Sequence, residues 1–512
     1  MVTSSSATPR VRARDAALAG AVAGTAALGV AELLAGVLPG GASPVIAIGD
    51  LVIALQPPGA KQFVVDLFGE ADKLLLNLVV VAVAVALAAG LGVVSRRSPG
   101  MARLGFAAFG IVALAAALRD PLAEPITSLA VVAAAIVVAI TVLQALLRRA
   151  VPPAAEMPAW GRRRFLGTSL GVVALAATSG VAGRLLLDRG RLNAIPQVGS
   201  IPEPSSTVPP VPSGAALDVE GVTPLVTPTE DFYRIDTALL VPRPNLSTWR
   251  LRVRGMVSHP FELTYDELVA MPLHEQYVTI ACVSNEVGGH LVGNALWRGV
   301  RLKELLARAG VDPGATQIVG RSVDGFTVGF PTVWALDEAR EPLVAVGMNG
   351  EPLPPDHGFP ARLIVPGLYG YVSATKWLAE IELTTLDAFD AYWVPLGWAK
   401  QAPILTQSRI DTPRGSVAAG TVPVAGVAWA PDRGISAVEI RIDGGAWQAA
   451  ELSTPISDAT WVQWLYRWEA TPGDHRLEVR ATDGRGEVQA EERTPPAPDG
   501  ARGYHSVRVS VA

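Results

Sequence analysis

A single cysteine, Cys282, is the only thiol in 512 residues. That excludes intrachain disulfides, CxxC and CxxCH motifs, cysteine-rich zinc sites and iron–sulfur clusters held by this chain alone. Histidine is also scarce, with six residues, all in the second half of the chain. Charge is thin: 17% of residues are charged and the net charge is −5. A general nucleic-acid binder needs a basic surface, so that class is excluded. Charge is thinnest in the first 190 residues, which are rich in Ala, Val, Leu and Gly.

A helix needs about 20 apolar residues to cross a bilayer. Five stretches qualify: Ala16–Leu38, Leu74–Val94, the shorter Leu104–Leu118, Ile126–Leu147 and Phe165–Leu187. The apolar region Ala42–Phe68 is interrupted by Asp50, Pro57, Pro58, Lys61 and Asp66, and reads as an outside loop with interfacial or re-entrant helical pieces. Arg10, Arg12 and Arg14 precede the first span. Arg96, Arg97 and Arg103 separate the second from the third, and Arg148, Arg149 and Arg162–Arg164 separate the fourth from the fifth. The alternate loops hold only Lys61, Lys73 and Arg119 as basic residues. The positive-inside rule then places the N-terminus in the cytoplasm and everything after Leu187 outside it. Arg162–Arg163 followed by Phe165–Leu166 resembles an internal twin-arginine export signal, and it also reads as a plain positive-inside cluster. Glu32 lies near the outer end of the first span and reads as interfacial. No span holds His or Cys, so axial haem ligation by them is excluded there.

Prolines 202, 204, 209, 210 and 212 make residues 191–230 an extended linker rather than a helix. Mixed α/β patterning follows. "LRVRGMV" alternates like a strand. "TYDELVAM" opens with Thr264 as N-cap and Glu267 three residues on, as in a capping box. "RLKELLARAG" is an amphipathic helix stopped by Gly310. "QIVGRSVDGFTVGFP" is a hairpin turning at Asp324–Gly325. From about Pro403 the pattern is all-β: "AVEIRID", "WVQWLYRW", "HRLEVRATD" and "HSVRVSV" alternate with period two. That spacing suggests a two-sheet sandwich of immunoglobulin type, with Trp447, Trp461, Trp464 and Trp468 expected in its core and His475 and His505 on its surface or loops.

Cys282 sits in "TIACVSNEVGG", where an apolar strand opens into a polar, Gly-rich loop. Three readings fit. It is a small buried hydrophobe; or a nucleophile with a base among His274, His290 and His357; or a thiolate metal ligand, the other ligands coming from a cofactor with its own sulfurs.

The motifs "DFYRIDT", "TIACVSNEVGG…LWRGVRL", "SVDGFTVGFP", "HGFPARLIVPGLYGYVSATKWL", "VEIRIDGGAWQAAEL", "RATDGRGEVQ" and "YHSVRVSV" occur in order over Thr227 to Ala512. Together they resemble the sulfite oxidase family of molybdopterin enzymes, in a bacterial, membrane-anchored form. The resemblance implies a molybdenum–molybdopterin cofactor with Cys282 bonded to the metal. Tyr233 and Arg234 match the segment closing over it, Arg234 on the substrate side. Asp324, His357 and Arg362 match residues holding the pterin and its phosphate, and Ser373, Thr375 and Lys376 match a segment contacting the pterin. The C-terminal sandwich resembles the family's dimerisation domain, which implies a homodimer. Two departures bear on substrate. Glu286 and Val287 stand where sulfite oxidases are basic, and Trp398, with Tyr392 as a substitute, falls nearest the family's active-site tyrosine. Sulfite is therefore disfavoured, and a sulfoxide, an N-oxide or another oxo-transfer substrate is open.

The expected architecture is multi-domain: an α-helical transmembrane bundle over residues 1–190, a linker over 191–230, an α+β molybdopterin domain over 231–402 and an immunoglobulin-like sandwich over 403–512. The expected partners are a small-molecule substrate, membrane lipid, and a separate electron carrier or quinone-linked protein, with no nucleic acid. Rival classes are an extracytoplasmic Cys-dependent transpeptidase or hydrolase and a non-enzymatic surface-binding protein.

Overall fold

A computed structural model describes residues 11–56, 72–150, 158–193, 201–337 and 340–512. The chain forms two compact units, one of residues 1–195 with Ala238–Leu240, the other of residues 196–237 and 241–512.

The first unit is helical: α1 (Ala13–Val37), α2 (Pro44–Leu55), α3 (Asp72–Val94), α4 (Pro99–Ala117), α5 (Pro125–Ala150) and α6 (Pro158–Asn193). All but α2 are long and apolar enough to cross a membrane. Two starts follow from local chemistry. The Ser43 and Ser98 hydroxyls accept from the N–H groups of Ile46 and Met101, and a proline occupies the next position each time. The second cap lengthens the third apolar stretch beyond what hydropathy alone outlined. α2 covers the first part of the ambiguous 42–68 region; residues 57–68, Arg10 and residues 194–200 of the expected linker lie outside the described residues, while its first three residues still belong to α6.

α1 is the hub, and its glycines explain why. A Cβ on Gly20 would lie 2.2 Å from the Ala88 carbonyl oxygen of α3, and one on Gly29 would lie 2.4 Å from that of Ala176 on α6. Gly36 meets Gly183 in the same way. Small residues let helix backbones touch, which is how helices associate where no hydrophobic effect separates them from their surroundings. Glu32 is not bare: the Ser43 hydroxyl donates to its carboxylate at 2.6 Å.

In the second unit the strands are β1 (Leu251–Gly255), β2 (Phe261–Leu263), β3 (His274–Ala281), β4 (Val292–Arg301), β5 (Gln317–Ser322), β6 (Thr327–Pro331), β7 (Leu343–Met348), β8 (Glu351–Pro352), β9 (Arg362–Ile364) and β10 (Leu378–Thr384). One sheet runs β2-β1-β10-β5-β6. The other runs β3-β4-β7-β8, with β9 also on β7. Short helices α7 (Tyr265–Val269), α8 (Leu302–Ala309), α9 (Val333–Leu336) and α10 (Gly370–Ser373) connect them. α7 has the full Thr264–Glu267 capping box, and Gly310 ends α8 in the left-handed conformation. The hairpin between β5 and β6 turns at Asp324–Gly325, where Gly325 has a φ of 89°.

Beyond residue 403 come β11 (Gln407–Thr412), β12 (Gly415–Val417), β13 (Gly420–Trp429), β14 (Ile435–Ile442), β15 (Gln448–Ala449), β16 (Glu451–Leu452), β17 (Val462–Ala470), β18 (Gly473–Asp483) and β19 (His505–Val511). They make two sheets, β11-β13-β17-β16 and β12-β19-β18-β14-β15, which share a core containing Val438, Ile440, Trp464 and Trp468.

Two of the four tryptophans expected in that core lie elsewhere. Trp461 packs into the larger core together with Leu251, Val300 and Phe330. Trp447 stays partly exposed, with the Arg441 and Arg480 guanidiniums 4.5 and 4.3 Å from its ring centroid, so cation–π contacts replace core packing there. The two C-terminal histidines are strand residues with bonded rings, not bare surface groups. His475 contacts Asp443 and the Thr471 carbonyl, and His505 accepts from the Ile410 N–H. Residues 201–237 are extended, yet they lie against the globular unit as a strap. Ser205 donates to Leu273, Leu217 to Gln463, Thr223 to Asp411 and Thr227 to Asn294. A proline-rich chain makes few bonds to itself, so its remaining N–H groups find partners across the surface.

Candidate functional site

β3 buries Val278 and Ile280, and its register with β4 brings Ala281 opposite Val292. Cys282 is the next residue. It is buried; its N–H donates to the Leu291 carbonyl at 2.9 Å and its own carbonyl accepts from Asn285 at 3.0 Å. The Asn285 amide oxygen accepts from the Leu291 N–H, closing the loop. The thiol is thereby held at the mouth of a tight hairpin, at the C-terminal end of its strand.

The strap delivers Phe232 and Tyr233. Their rings stack with centroids 5.2 Å apart, and Phe232 meets Trp297 and His357 edge-on, each at 5.7 Å. Burial pushes the Tyr233 phenol well above its ordinary range; proximity to Cys282 adds to this and Arg362 opposes it. Tyr233 is thus within electrostatic reach of both. Tyr369 is also raised, by burial first, with a smaller effect from Cys282. These tyrosines are neutral hydrogen-bonding groups at any physiological pH.

Three basic groups gather behind them. Arg362, at the start of β9, is 3% exposed; it donates to the His357 carbonyl at 3.0 Å and lies over the Trp297 ring. Burial lowers it to about 10. His357 bonds the Thr229 carbonyl through Nε2 at 3.0 Å, so that nitrogen carries the proton. Burial, with Arg362 and Lys376 nearby, holds this imidazole down at about 4. Lys376 donates to the Asp356 carbonyl at 2.9 Å and pairs with Asp236 at 3.2 Å. Burial lowers it to about 8, against the pull of Asp236.

The other expected residues divide. Thr375 is fully buried on the same segment, whereas the Ser373 hydroxyl points to the carbonyls of Leu368 and Tyr369, leaving it less to offer a ligand than its backbone. Asp324 accepts from the Phe326 N–H at the β5–β6 turn, and burial raises its carboxyl, with Asp236 close enough to raise it further. Arg234 is half exposed and lies between two carboxylates, 3.4 Å from Asp236 and 3.5 Å from Asp356. Trp398 packs on Tyr371 of α10 at 5.8 Å, while Tyr392 packs on Phe326 at 5.4 Å. Gly370, which opens α10, lies beside the Ala281 carbonyl, so Trp398 is one side chain removed from the Cys282 strand end. His274 is bonded at both ring nitrogens, to Ser206 and Glu304, and is not a free base. Asp236, Asp356 and Trp297 join the site beyond the expected residues; Asp236 lies inside the motif "DFYRIDT", Trp297 inside "LWRGVRL", and Asp356 immediately before "HGFPARL".

The donor set supports a test of the cofactor implied by the resemblance. Of the buried polar atoms without a partner among the described residues, three belong to the expected cofactor-binding positions: His357 Nδ1, Arg362 Nε and Thr375 Oγ1. Buried polar atoms are nearly always bonded, so a cluster of exceptions marks groups reserved for a ligand. One acceptor, one hydroxyl and two buried cations suit a hydrogen-bonding heterocycle bearing a phosphate. Tyr233 is within electrostatic reach of both the Cys282 thiol and Arg362. The residues fit the group.

Comparison with known proteins agrees. Residues 238–393 match the family model "Oxidoreductase molybdopterin binding domain". Mitochondrial sulfite oxidase of Mus musculus is 29% identical over 322 residues, covering 53% of this chain and 58% of that protein. Nitrate reductase [NADH] 1 of Oryza sativa subsp. japonica is 36% identical over 178 residues, 30% of this chain and 19% of that protein. The chain therefore spans less than two thirds of either relative. Among solved structures, the sulfane dehydrogenase SoxCD from Paracoccus pantotrophus aligns with a TM-score of 0.49 at 23% identity, over 57% of this chain and 82% of that one.

Proposed function

The chain carries a molybdopterin-binding oxidoreductase domain of the sulfite oxidase family, and on that premise we propose that it is a membrane-anchored enzyme of two-electron oxygen-atom transfer acting on a small substrate outside the cytoplasm. The observation that carries this reading is the set of partnerless buried atoms on His357, Arg362 and Thr375, with Tyr233 within electrostatic reach of both Arg362 and the Cys282 thiol. Cys282 would give its thiolate to molybdenum. Arg362 and Lys376 would hold the phosphate, and His357 Nδ1 would accept from the pterin edge. Bound there, the cofactor supplies two-electron chemistry with transfer of one oxygen atom, water and a separate electron carrier or quinone-linked partner completing the balance. Tyr233, neutral and partly buried, would offer its phenol as a hydrogen-bond donor beside the thiol and help to exclude water.

The five long apolar helices and the arginine-rich alternate loops support a multi-pass anchor with the globular unit outside. Arg162–Arg163 ahead of Phe165–Leu166 supports export after folding. The paired C-terminal sheets support an immunoglobulin-like sandwich that could pair two copies.

The substrate is uncharged, such as an organic sulfoxide or N-oxide. Arg234, the cation next to Tyr233, is already held by Asp236 and Asp356, and the loop after Cys282 exposes Glu286. An oxyanion would meet no uncommitted positive charge there.

Elemental analysis tests the reading. Protein made with active cofactor synthesis should hold about one molybdenum per chain, lost in Cys282→Ser. Metal-free wild-type protein from such cells would overturn it, and sulfite binding as tightly as neutral sulfoxides would overturn the substrate class.

A further inference from the structure

The Cys282 hairpin is gripped by the C-terminal β unit at three points. At its tip, the Gly289 carbonyl accepts from Arg409 Nη1 at 2.6 Å. Arg409 cannot swing away. Its Nε donates to Asp411 at 2.6 Å and its Nη2 to Thr223 at 2.7 Å, and both members of the ion pair are buried. Beside it, Gly288 adopts a φ of 79° and lies flat on the His505 imidazole. A Cβ there would sit 2.1 Å from His505 Cδ2 and 2.3 Å from Nε2. The ring is fixed in turn, because its Nδ1 accepts from the Ile410 N–H at 3.0 Å. At the hairpin's base, the Thr279 N–H donates to Ala459 at 2.9 Å and the Thr279 hydroxyl accepts from the Trp461 N–H at 2.8 Å. Arg409 lies on β11, His505 on β19, and Ala459 and Trp461 just before β17.

We propose that the C-terminal β unit is a positioning element for Cys282, with His505 and Arg409 as positioning residues that hold the loop 283–290 shut over the thiol. The sandwich is then part of the active site's frame, not only a surface for pairing copies. The physical case is one of rigidity. The loop's own bonds close its base, but Gly288 and Gly289 leave the far end free to flex. Here a planar ring and a doubly anchored guanidinium stiffen it, and a metal ligand must be held to a fraction of an ångström. For the thiol's role as a ligand the inference rests on the reading above, but the clamp itself does not need the metal.

The single cysteine makes the test clean, since every alkylated chain is alkylated at Cys282. The full chain, purified in detergent from cells that make no cofactor, is treated with iodoacetamide under native conditions and the labelling rate is followed by mass spectrometry. His505→Ala should label about tenfold faster than wild type, as expected when local opening becomes easier. His505→Gln, whose amide oxygen can still accept from Ile410 and whose plane can still carry Gly288, should label close to the wild-type rate. Val438→Ala, a cavity in the same β unit's core, should lower the melting temperature and leave labelling unchanged. If His505→Ala does not fold, His505→Asn replaces it: it can keep the acceptor but withdraws the ring from Gly288, and the same increase is expected. Wild-type labelling in the substituted protein, or an equal rise in Val438→Ala, would overturn the proposal. Molybdenum content of cofactor-loaded protein separates the two ideas. Faster labelling in His505→Ala with no metal in wild type would leave the clamp standing and remove the cofactor reading; metal in wild type with unchanged labelling would do the reverse.

Discussion

Arg362→Met should make the cofactor-free protein more stable and unable to load cofactor. The guanidinium is 3% exposed, has no ion pair among the described residues, and leaves Nε without a partner. Burial lowers it from 12.5 to about 10, so it still carries its charge at neutral pH. A shift of that size corresponds to about 3 kcal/mol of penalty on the charged form, at roughly 1.4 kcal/mol per pH unit. Methionine fills a similar volume without the charge. It gives up the charge-assisted bond to the His357 carbonyl, a loss of about 2 kcal/mol. The difference is a gain of about 1 kcal/mol, or a rise in melting temperature of roughly 2 °C for a unit this large. Scanning fluorimetry of cofactor-free wild type and variant measures it, with metal content of the loaded forms alongside. A buried charge with no carboxylate is tolerated when a ligand later neutralises it. A fall in melting temperature would mean that the guanidinium serves the fold, and the reasoning that reserves it for an anion would be refuted.

Acid should weaken the fold in a defined window. His357 and His505 are both held at about 4 by burial, against 6.5 for a free imidazole. The unfolded chain takes up protons first, so stability is full above about pH 6.5 and falls as pH drops toward 4. For His357 alone the loss is up to roughly 3 kcal/mol, and urea unfolding at pH 7 and pH 5 should show His357→Gln less pH-dependent than wild type. Trp464→Ala, at a fully buried site in the sandwich core, should cost about 3–5 kcal/mol in chemical denaturation. Gly20→Leu should break the contact of α1 with α3, where even a Cβ would overlap the Ala88 carbonyl, and should lower thermal stability in detergent by at least 1–3 kcal/mol, on the order expected for overpacking.

Much of this was legible because it is local. The Thr264–Glu267 capping box, the Gly310 stop and the Asp324–Gly325 turn each depend on residues a few positions apart, and all three are in place. The alternation of Val438 and Ile440 with charged neighbours correctly marks one buried face. At the site, the positions taken from family resemblance cluster around Tyr233, Arg362 and Lys376. What escaped was long-range. Trp461 carries the same apolar weight as Trp464, and its bonds to the Leu225 carbonyl of the strap and to the Thr279 hydroxyl hold it at the other core. Nothing near His505 in sequence announces a glycine more than two hundred residues earlier. The strap could be read as extended from its prolines, but not as bound, because its partners lie on four separate elements.

The glycines of α1 have a consequence for the order of assembly. α1 is made well before α6, and one stretch of its small-residue face is matched by α6 through Gly29 with Ala176 and Gly36 with Gly183. That seam stays open until α6 has been synthesised, just as the polypeptide that becomes the globular unit follows it. On the membrane-spanning reading, the newly made bundle displays an unfilled backbone groove at the moment when the rest of the chain must be folded and carried across. A chain stopped after α5 would keep that groove open along α1.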